Sequence, residues 1–566
     1  MLDALLSTWI GRAFLSVGLI PLLTFTYTSL RFCWQTRRGG GEVDQEPPTL
    51  PYAIPWIGSA FDLIWDTHKF LADIKKKNGG RPVKIRLANE KPAYILSNAQ
   101  DVQGLFRASK ELTFEEFSVR VLEKVKKFPR EDGAKMEADT SGSATIPLHP
   151  VPESSRIWRA IHANYDSHLT GSGPVSVLTN RFVRLFQEEL DQVASAEGKG
   201  ARWTTGCVNS LLEDKMFRAS TRTLVGDAIF DLSPTFTSDF WEYDQNFMYF
   251  LYGLPRFLFP SAWQARERVF NAVKAYIAQA WDRLDPRHAA AEHDNPDFDD
   301  HFGSRLVRTR EAMYANYGLS LDGRAASEMG LIWSINSNAI PMVSWMLVEI
   351  LSDPHLLSRV QQEIWNCTTT TTTKSDGEDV SPDAPAALDV SRVLTLPLLN
   401  SVYAECLRMR ASVQAIRELR TEIRLGGYTL KPGNLVMAPS CLAHYDEATW
   451  GVEGHPASVF YADRFLRPVK GGAQGSYQFY NPATAGQYFP YGGGAAICPG
   501  RFYAKAEMLV AVALFLFTLE VQPVGFVDAK GNHSTRGPSM GTETRGTMRL
   551  DRDLKVLFRR RERVTT

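Results

Sequence analysis

Apolar and polar positions fall into three regimes along this chain. The first is a single apolar run. Residues 13–30 carry no charge and are bounded by Arg12 and Arg31, with Arg37 and Arg38 beyond; Phe32, Cys33 and Trp34 extend the run. That is enough residues for a helix to cross the hydrocarbon core of a bilayer. The basic cluster after it predicts a cytosolic position for the bulk of the chain. A cleaved signal peptide is the alternative, although no convincing cleavage site stands after the run. The second regime is short and strand-like, at 82–87 and 92–96, where Ala93, Tyr94, Ile95 and Leu96 are consecutive. The third begins near Asp101. Apolar residues there recur at helical spacing over 153–170, 178–193, 211–224, 263–284, 305–317 and 328–351.

Between these regimes lie breakers. Gly39, Gly40 and Gly41, then Pro47, Pro48, Pro51 and Pro55, form a linker that is loose at first and stiff later. Residues 368–385 hold a threonine tract followed by KSDGED and cannot bury a core. The expected organisation is an N-terminal transmembrane anchor over 1–34, a Gly/Pro-rich linker and hinge over 35–58, and a catalytic domain over 59–566 that contains the threonine-rich insert.

Composition narrows the function. Lys+Arg and Asp+Glu are both 63, so there is no basic field and no nucleic-acid partner is expected. The six cysteines are scattered without a CxxC pair, which suits a reducing compartment and excludes a disulfide framework.

One cysteine stands apart. Residues 489–507 read FPYGGGAAICPGRFYAKAE, placing Cys498 between a glycine run and a helical pattern carried by Phe502, Ala506, Leu509, Val510 and Leu514. The glycines permit tight turns and a close approach to something flat. A thiolate just before a helix N-terminus is stabilised by the helix dipole and free amides, a suitable setting for a sulfur ligand to a metal. A buried structural cysteine in a tight loop is the competing reading.

The stretch resembles the haem-binding loop of cytochromes P450. Tyr491 stands seven before the cysteine where the family usually has Phe; Gly494 is four before it and Gly500 two after. The resemblance implies that Cys498 is the axial ligand of haem iron. Ala496 departs from the pattern, since the family usually has Arg or His there to bind a haem propionate. That role then falls on Trp158 and His162, which share a helix face four residues apart, and on Arg417.

Further motifs extend the resemblance over roughly 45–560. Glu405 and Arg408 are three apart in a helical pattern and pair on one face; with Arg464 they resemble the family's three-member ion network. The aromatic-rich run 240–259 resembles the roof of the substrate cavity, and 412–416 a cavity-facing segment that touches substrate. In the long apolar helix 328–351, counting back seven from Trp345 puts Ser337 and Asn338 where the family has an acid–alcohol pair that relays protons. Pro341 cannot donate to the Ser337 carbonyl, so a kink is expected there. The segment LIWSINSNAIPMVSW, the cysteine loop and the tail 545–556 resemble the branch holding sterol 7α-hydroxylases and prostacyclin synthase. The insert and N-terminal style resemble filamentous-fungal members.

The fold implied is mainly α with small β-sheets, the cytochrome P450 fold with an N-terminal membrane anchor. The function implied is a haem-thiolate monooxygenase with haem b. It would insert oxygen from O2 into a small hydrophobic terpenoid- or sterol-like substrate of secondary metabolism. NADPH would act indirectly, through NADPH–cytochrome P450 reductase. The location implied is single-pass in the endoplasmic reticulum membrane with the catalytic domain cytosolic. The alternative is a P450-type isomerase that needs no reductase.

Overall fold

The computed structural model describes residues 9–38, 45–88, 90–195, 202–283, 297–369, 387–472, 475–481, 485–540 and 546–561. Helices dominate and the strands collect in small sheets.

The N-terminal apolar run forms helix α1 (Trp9–Arg38), with Pro21 inside it. Leu22, Leu23, Phe25, Tyr27 and Leu30 are exposed. The Thr28 hydroxyl donates to the Tyr52 carbonyl at 3.0 Å, and the Tyr52 N–H donates back to Thr28 Oγ1 at 3.2 Å. The proline-rich hinge is thereby fastened to the middle of α1. The helix continues past the boundary expected at residue 34, and Gly39, Gly40 and Gly41 lie outside the described residues. A short helix α2 (Ala60–Trp65) comes next.

Strands β1 (Val83–Ile85) and β2 (Ala93–Ile95) fall where the apolar pattern puts them, and β3 (Leu112–Thr113) comes after. Helices α3 (Ile157–Leu169) and α4 (Val208–Val225) match two of the periodic stretches. The longest match is α5 (Leu321–Ser352). The Ser320 side chain accepts from the Gly323 N–H at its start. At its end Asp353 caps the next helix, Pro354–Trp365, by accepting from the His355 and Leu356 amides. Among the described residues α5 is the helix long and apolar enough to cross a membrane, but most of that apolar window is buried by other helices. It is the central core helix, packed on α4, on Pro260–Arg283 and on α7 (Arg501–Thr518). Pro341 does not end it: α5 runs through the proline, whose neighbours Ile340, Met342 and Val343 are fully buried. Burial of Pro341 and its neighbours in the core outweighs one missing backbone bond.

After α6 (Pro397–Arg410) come β4 (Ala411–Ser412), β5 (Gln414–Leu419) and β6 (Leu435–Pro439). The main sheet has the order β1-β2-β6-β5-β3, with β6 parallel to β2 and the other pairs antiparallel. A second sheet is built on β7 (Leu519–Val527) and β9 (Asp553–Arg560). Between those two in sequence, β8 (Gly546–Thr547) pairs with β4. Residues 370–385 of the threonine-rich insert lie outside the described residues. Their flanks meet: Thr368–Thr369 pairs antiparallel with Ala387–Leu388.

Candidate active site

The cysteine loop is held from both sides. The Cys498 N–H donates to the Tyr491 carbonyl at 3.0 Å, and the Cys498 carbonyl accepts from Arg501 Nη1 at 3.0 Å. Gly500 is the N-cap of α7, so the sulfur sits before a helix start as expected. Burial nonetheless pushes the thiol's pKa up, against the opposing pull of the Gly500 and Arg501 amides and the Arg501 charge. The helix terminus alone therefore does not make a free thiolate here; desolvation wins. The glycines do answer to a close approach. A Cβ on Gly493 would come within 2.5 Å of the Phe106 ring, and one on Gly494 (φ +66°) within 2.6 Å of the Phe106 carbonyl oxygen. Tyr491 turns its hydroxyl to the Tyr403 hydroxyl at 2.6 Å, so the phenol that replaces the usual phenyl has a buried partner.

Cys498 opens onto a cavity of about 1480 Å³. Its walls include Phe106, Phe114, Leu331, Ala339, Met342 and Ala504. Trp158, His162, Arg417, Tyr491, Gly494, Ala496 and Gly500 also border it, so the structure gathers the expected cofactor residues around one space. On α5 the wall is made by Ser327, Gly330, Leu331, Trp333, Ser334, Ile335, Asn338, Ala339 and Met342, most of them along one helical face. Asn338 is on it. Ser337, expected beside it, is not: at about 100° per residue it turns into the packed side of α5 and is buried. Ser334, one turn before Asn338, holds the cavity position instead, its hydroxyl donating to the Gly330 carbonyl at 2.8 Å. Of 412–416, Val413, Gln414 and Ile416 border the cavity. From the aromatic run, Phe247, Met248, Leu251 and Tyr252 do so, whereas Phe257 is 80% exposed.

The ion network forms as expected. Glu405 takes a two-pronged bond from Arg408, both contacts 2.8 Å, and a third from Arg464 Nε at 2.9 Å; all three side chains are buried. Further Arg464 bonds go to the carbonyls of Trp450, His455, Pro456 and Val459. Asp463 pairs with Arg359 at 2.6 Å and fastens the segment to Pro354–Trp365. One member was not foreseen. His444 joins the network to the cysteine loop: its Nδ1–H donates to the Arg408 carbonyl at 3.1 Å, and its Nε2 accepts the Phe489 N–H at 3.0 Å. No local pattern in the sequence signals a contact between His444 and a residue 45 positions on.

The site fits haem. Arg417 is buried, donates only to the Ile416 and Gly493 carbonyls, and makes no ion pair among the described residues. Burial lowers its pKa to about 10, the mark of a cation in need of an anion. A haem propionate would supply one. His162 has a lowered pKa, chiefly from burial, and its imidazole makes no hydrogen bond among the described residues. Trp158 borders the cavity differently from expectation: its indole N–H already donates to the Met136 carbonyl at 2.9 Å, so it forms wall rather than a free donor. A second unforeseen group is Glu507 on α7. It borders the cavity, accepts from Ser220 Oγ at 2.6 Å, and is pushed up to about 7 by burial, with no cation paired to it among the described residues.

Comparisons with known proteins agree with this arrangement. Residues 47–544 match the cytochrome P450 family. A cytochrome P450 monooxygenase of Penicillium decumbens is 30% identical over 92% of this chain and 94% of its own length. One from Humicola fuscoatra is 28% identical over 94% of this chain and 90% of its own. A cholesterol 7-alpha-monooxygenase of Cricetulus griseus is 27% identical over 85% and 87%. A thiol at a helix start, a buried arginine without an ion pair among the described residues on the wall of a large cavity, and a buried Glu-Arg-Arg lock thus meet in a chain that aligns with these enzymes along most of its length: it belongs to the cytochrome P450 family and is a haem-thiolate monooxygenase, an oxidoreductase.

Proposed function

We propose that this P450 is a membrane-anchored haem b enzyme that inserts one atom of O2 into a hydrophobic terpenoid- or sterol-like substrate of fungal secondary metabolism. Two electrons come from NADPH through NADPH–cytochrome P450 reductase, and the second oxygen atom leaves as water. The observation that carries this reading is the large, mostly apolar cavity that begins at Cys498 and runs past the face of α5. The name of the hamster relative supports a polycyclic substrate, and the fungal relatives support the biological setting.

Haem bound through Cys498 supplies O2 activation, the thiolate favouring O–O cleavage. The residues of the chain do the remainder. Arg417 and His162 would hold its propionates, Asn338 would hydrogen-bond an oxygen atom of what binds in the cavity, and Ser334 with water would take the proton-handling place expected of Ser337. Helix α1 spans the endoplasmic reticulum membrane once, leaving the catalytic domain cytosolic. Exposed Phe61, Trp65, Phe257 and Leu258 face the bilayer around the entrance, next to cavity-lining Ile64 and Tyr252.

A second reading, rearrangement of a peroxide without a reductase, draws on one observation: α5 offers no carboxyl on its cavity face beside Asn338. Membranes carrying the protein and its reductase, given terpenoids and sterols, separate the two. Monooxygenation gives a product heavier by one oxygen that requires both NADPH and O2. Rearrangement of an organic peroxide to an isomer of the same mass in the absence of both, with no product heavier by one oxygen when both are supplied, supports the second reading and overturns the first.

A further inference from the structure

The carboxamide of Asn338 is locked in one orientation by the tail of the chain. The Thr547 backbone N–H donates to Oδ1 at 3.0 Å, and Nδ2 donates to the Ser334 carbonyl at 3.3 Å. An N–H meets only an acceptor and a carbonyl only a donor, so the amide cannot be turned over without losing both bonds. Its oxygen is crowded further. A Cβ on Gly546 would lie 2.1 Å from Asn338 Oδ1, and Gly546 has φ +71°, so only glycine lets the strand come this near. What remains for the cavity is the second N–H of Nδ2.

The strand that imposes this is itself fastened to α5 twice. Asn338 is one attachment; the Trp345 indole N–H, donating to the Met548 carbonyl at 2.7 Å, is the other, two turns further along the same helix. On its far edge β8 pairs with β4, Gly546 opposite Ser412 and Thr547 opposite Ala411, and the Met548 N–H donates to the Arg410 carbonyl at 2.8 Å. Gly546 and Thr547 border the cavity together with Asn338 and Ser334.

We propose that Gly546 and Thr547 are positioning residues for Asn338: they make it present a hydrogen-bond donor and no acceptor to whatever binds over the cofactor, so that the group selected there is an acceptor oxygen. This rests on the reading of Asn338 as the residue over the haem. A ligand bearing a carbonyl, ether or hydroxyl oxygen at that point is held; a purely hydrocarbon contact, or a group that can only donate, leaves the N–H unpaired.

Carbon monoxide on the reduced holoprotein is the probe, because a donor to its oxygen lowers the C–O stretching frequency seen in the infrared. The expected result is that Asn338→Ala and Asn338→Asp both move the band to higher frequency. The aspartate keeps the acceptor for Thr547 but has lost the donor. Gly546→Ala moves it the same way, because the new methyl displaces the carboxamide. Trp345→Phe, which loosens the second attachment without touching Asn338, broadens the band toward higher frequency and carries the test if Gly546→Ala does not take up haem. A band that stays put in Asn338→Ala means that Asn338 is not over the haem, and the functional reading of that residue falls. A band that moves in the Asn338 variants but is unchanged in Gly546→Ala, or in Trp345→Phe where Gly546→Ala yields no holoprotein, leaves that reading standing and overturns the lock.

Discussion

His444 Nε2 accepts the Phe489 N–H at 3.0 Å while the opposite ring nitrogen donates to the Arg408 carbonyl. The imidazole thus joins the buried Glu405–Arg408–Arg464 lock to the residue that opens the cysteine loop. Its two neighbours also fix the tautomer, since a backbone N–H and a backbone carbonyl demand an acceptor at Nε2 and a donor at Nδ1.

This bond makes His444 a source of acid sensitivity. Burial, then the Arg408 charge, lowers its pKa to about 3, against 6.5 when unfolded. The folded state therefore resists protonation, and the stability it represents is present above pH 6.5 and lost as pH falls toward 3, by about 1.4 kcal/mol per unit. Glu507 runs the other way. Its carboxyl is raised from 4.5 to about 7, so stability falls as pH rises from 4.5 to 7 and is level above. Urea unfolding across pH checks both signs: relative to wild type, His444→Gln loses less on acidification, and Glu507→Gln loses less as pH rises to 7. Parallel profiles for either variant and wild type contradict the assignment.

Glu405→Ala leaves two buried guanidinium groups facing one another. Breaking a buried ionic group from one side costs about 3–5 kcal/mol. The expected outcome is a steep fall in the denaturant midpoint and in the yield of haem-loaded protein. The exposed pair Arg184–Glu188 is the control, where loss of Glu188 changes the midpoint little.

Arg417→Leu separates cofactor binding from folding. It removes a buried cation that has no ion-pair partner among the described residues, so the apoprotein loses little stability. Haem transfer to an acceptor protein becomes faster and affinity falls about tenfold to a hundredfold, as expected when a charge-assisted bond of about 1.5–3 kcal/mol is lost. Unchanged haem retention sinks the propionate role.

Replacing residues 370–386 by a two-residue turn leaves turnover and thermal midpoint unchanged. Thr369 already faces Ala387 across a ladder, so the ends are near enough to join. A large loss of activity in the shortened chain refutes the reading of this segment as a dispensable insert.

The parts of the site that were legible in the sequence are local. Cys498 and its glycines lie within one short stretch, and Glu405 and Arg408 meet because three residues bring a helix nearly round once. Helix α5 was visible as a long apolar period. What failed was fine angular placement. Ser337 and Asn338 are adjacent in sequence, but one residue is about 100° of helix, enough to put one in the packed core and the other on the cavity wall. Pairings across long separations were also invisible: Thr547 reaches Asn338 across 209 positions, and Ser220 reaches Glu507 across 287. No local period encodes such contacts, since they exist only once α4, α5 and α7 are packed. Trp158 shows a related limit, because its helix face was right but its indole N–H is taken by Met136.

The central claim is that Cys498 is the thiolate ligand of haem. The most direct test is the absorption spectrum of the reduced, carbon monoxide-bound protein in membranes, alongside Cys498→Ala. A red-shifted thiolate-type Soret band in the wild type that is absent from the variant is the expected result. Folded, haem-loaded wild-type protein without that band, or a variant that keeps it, contradicts the account.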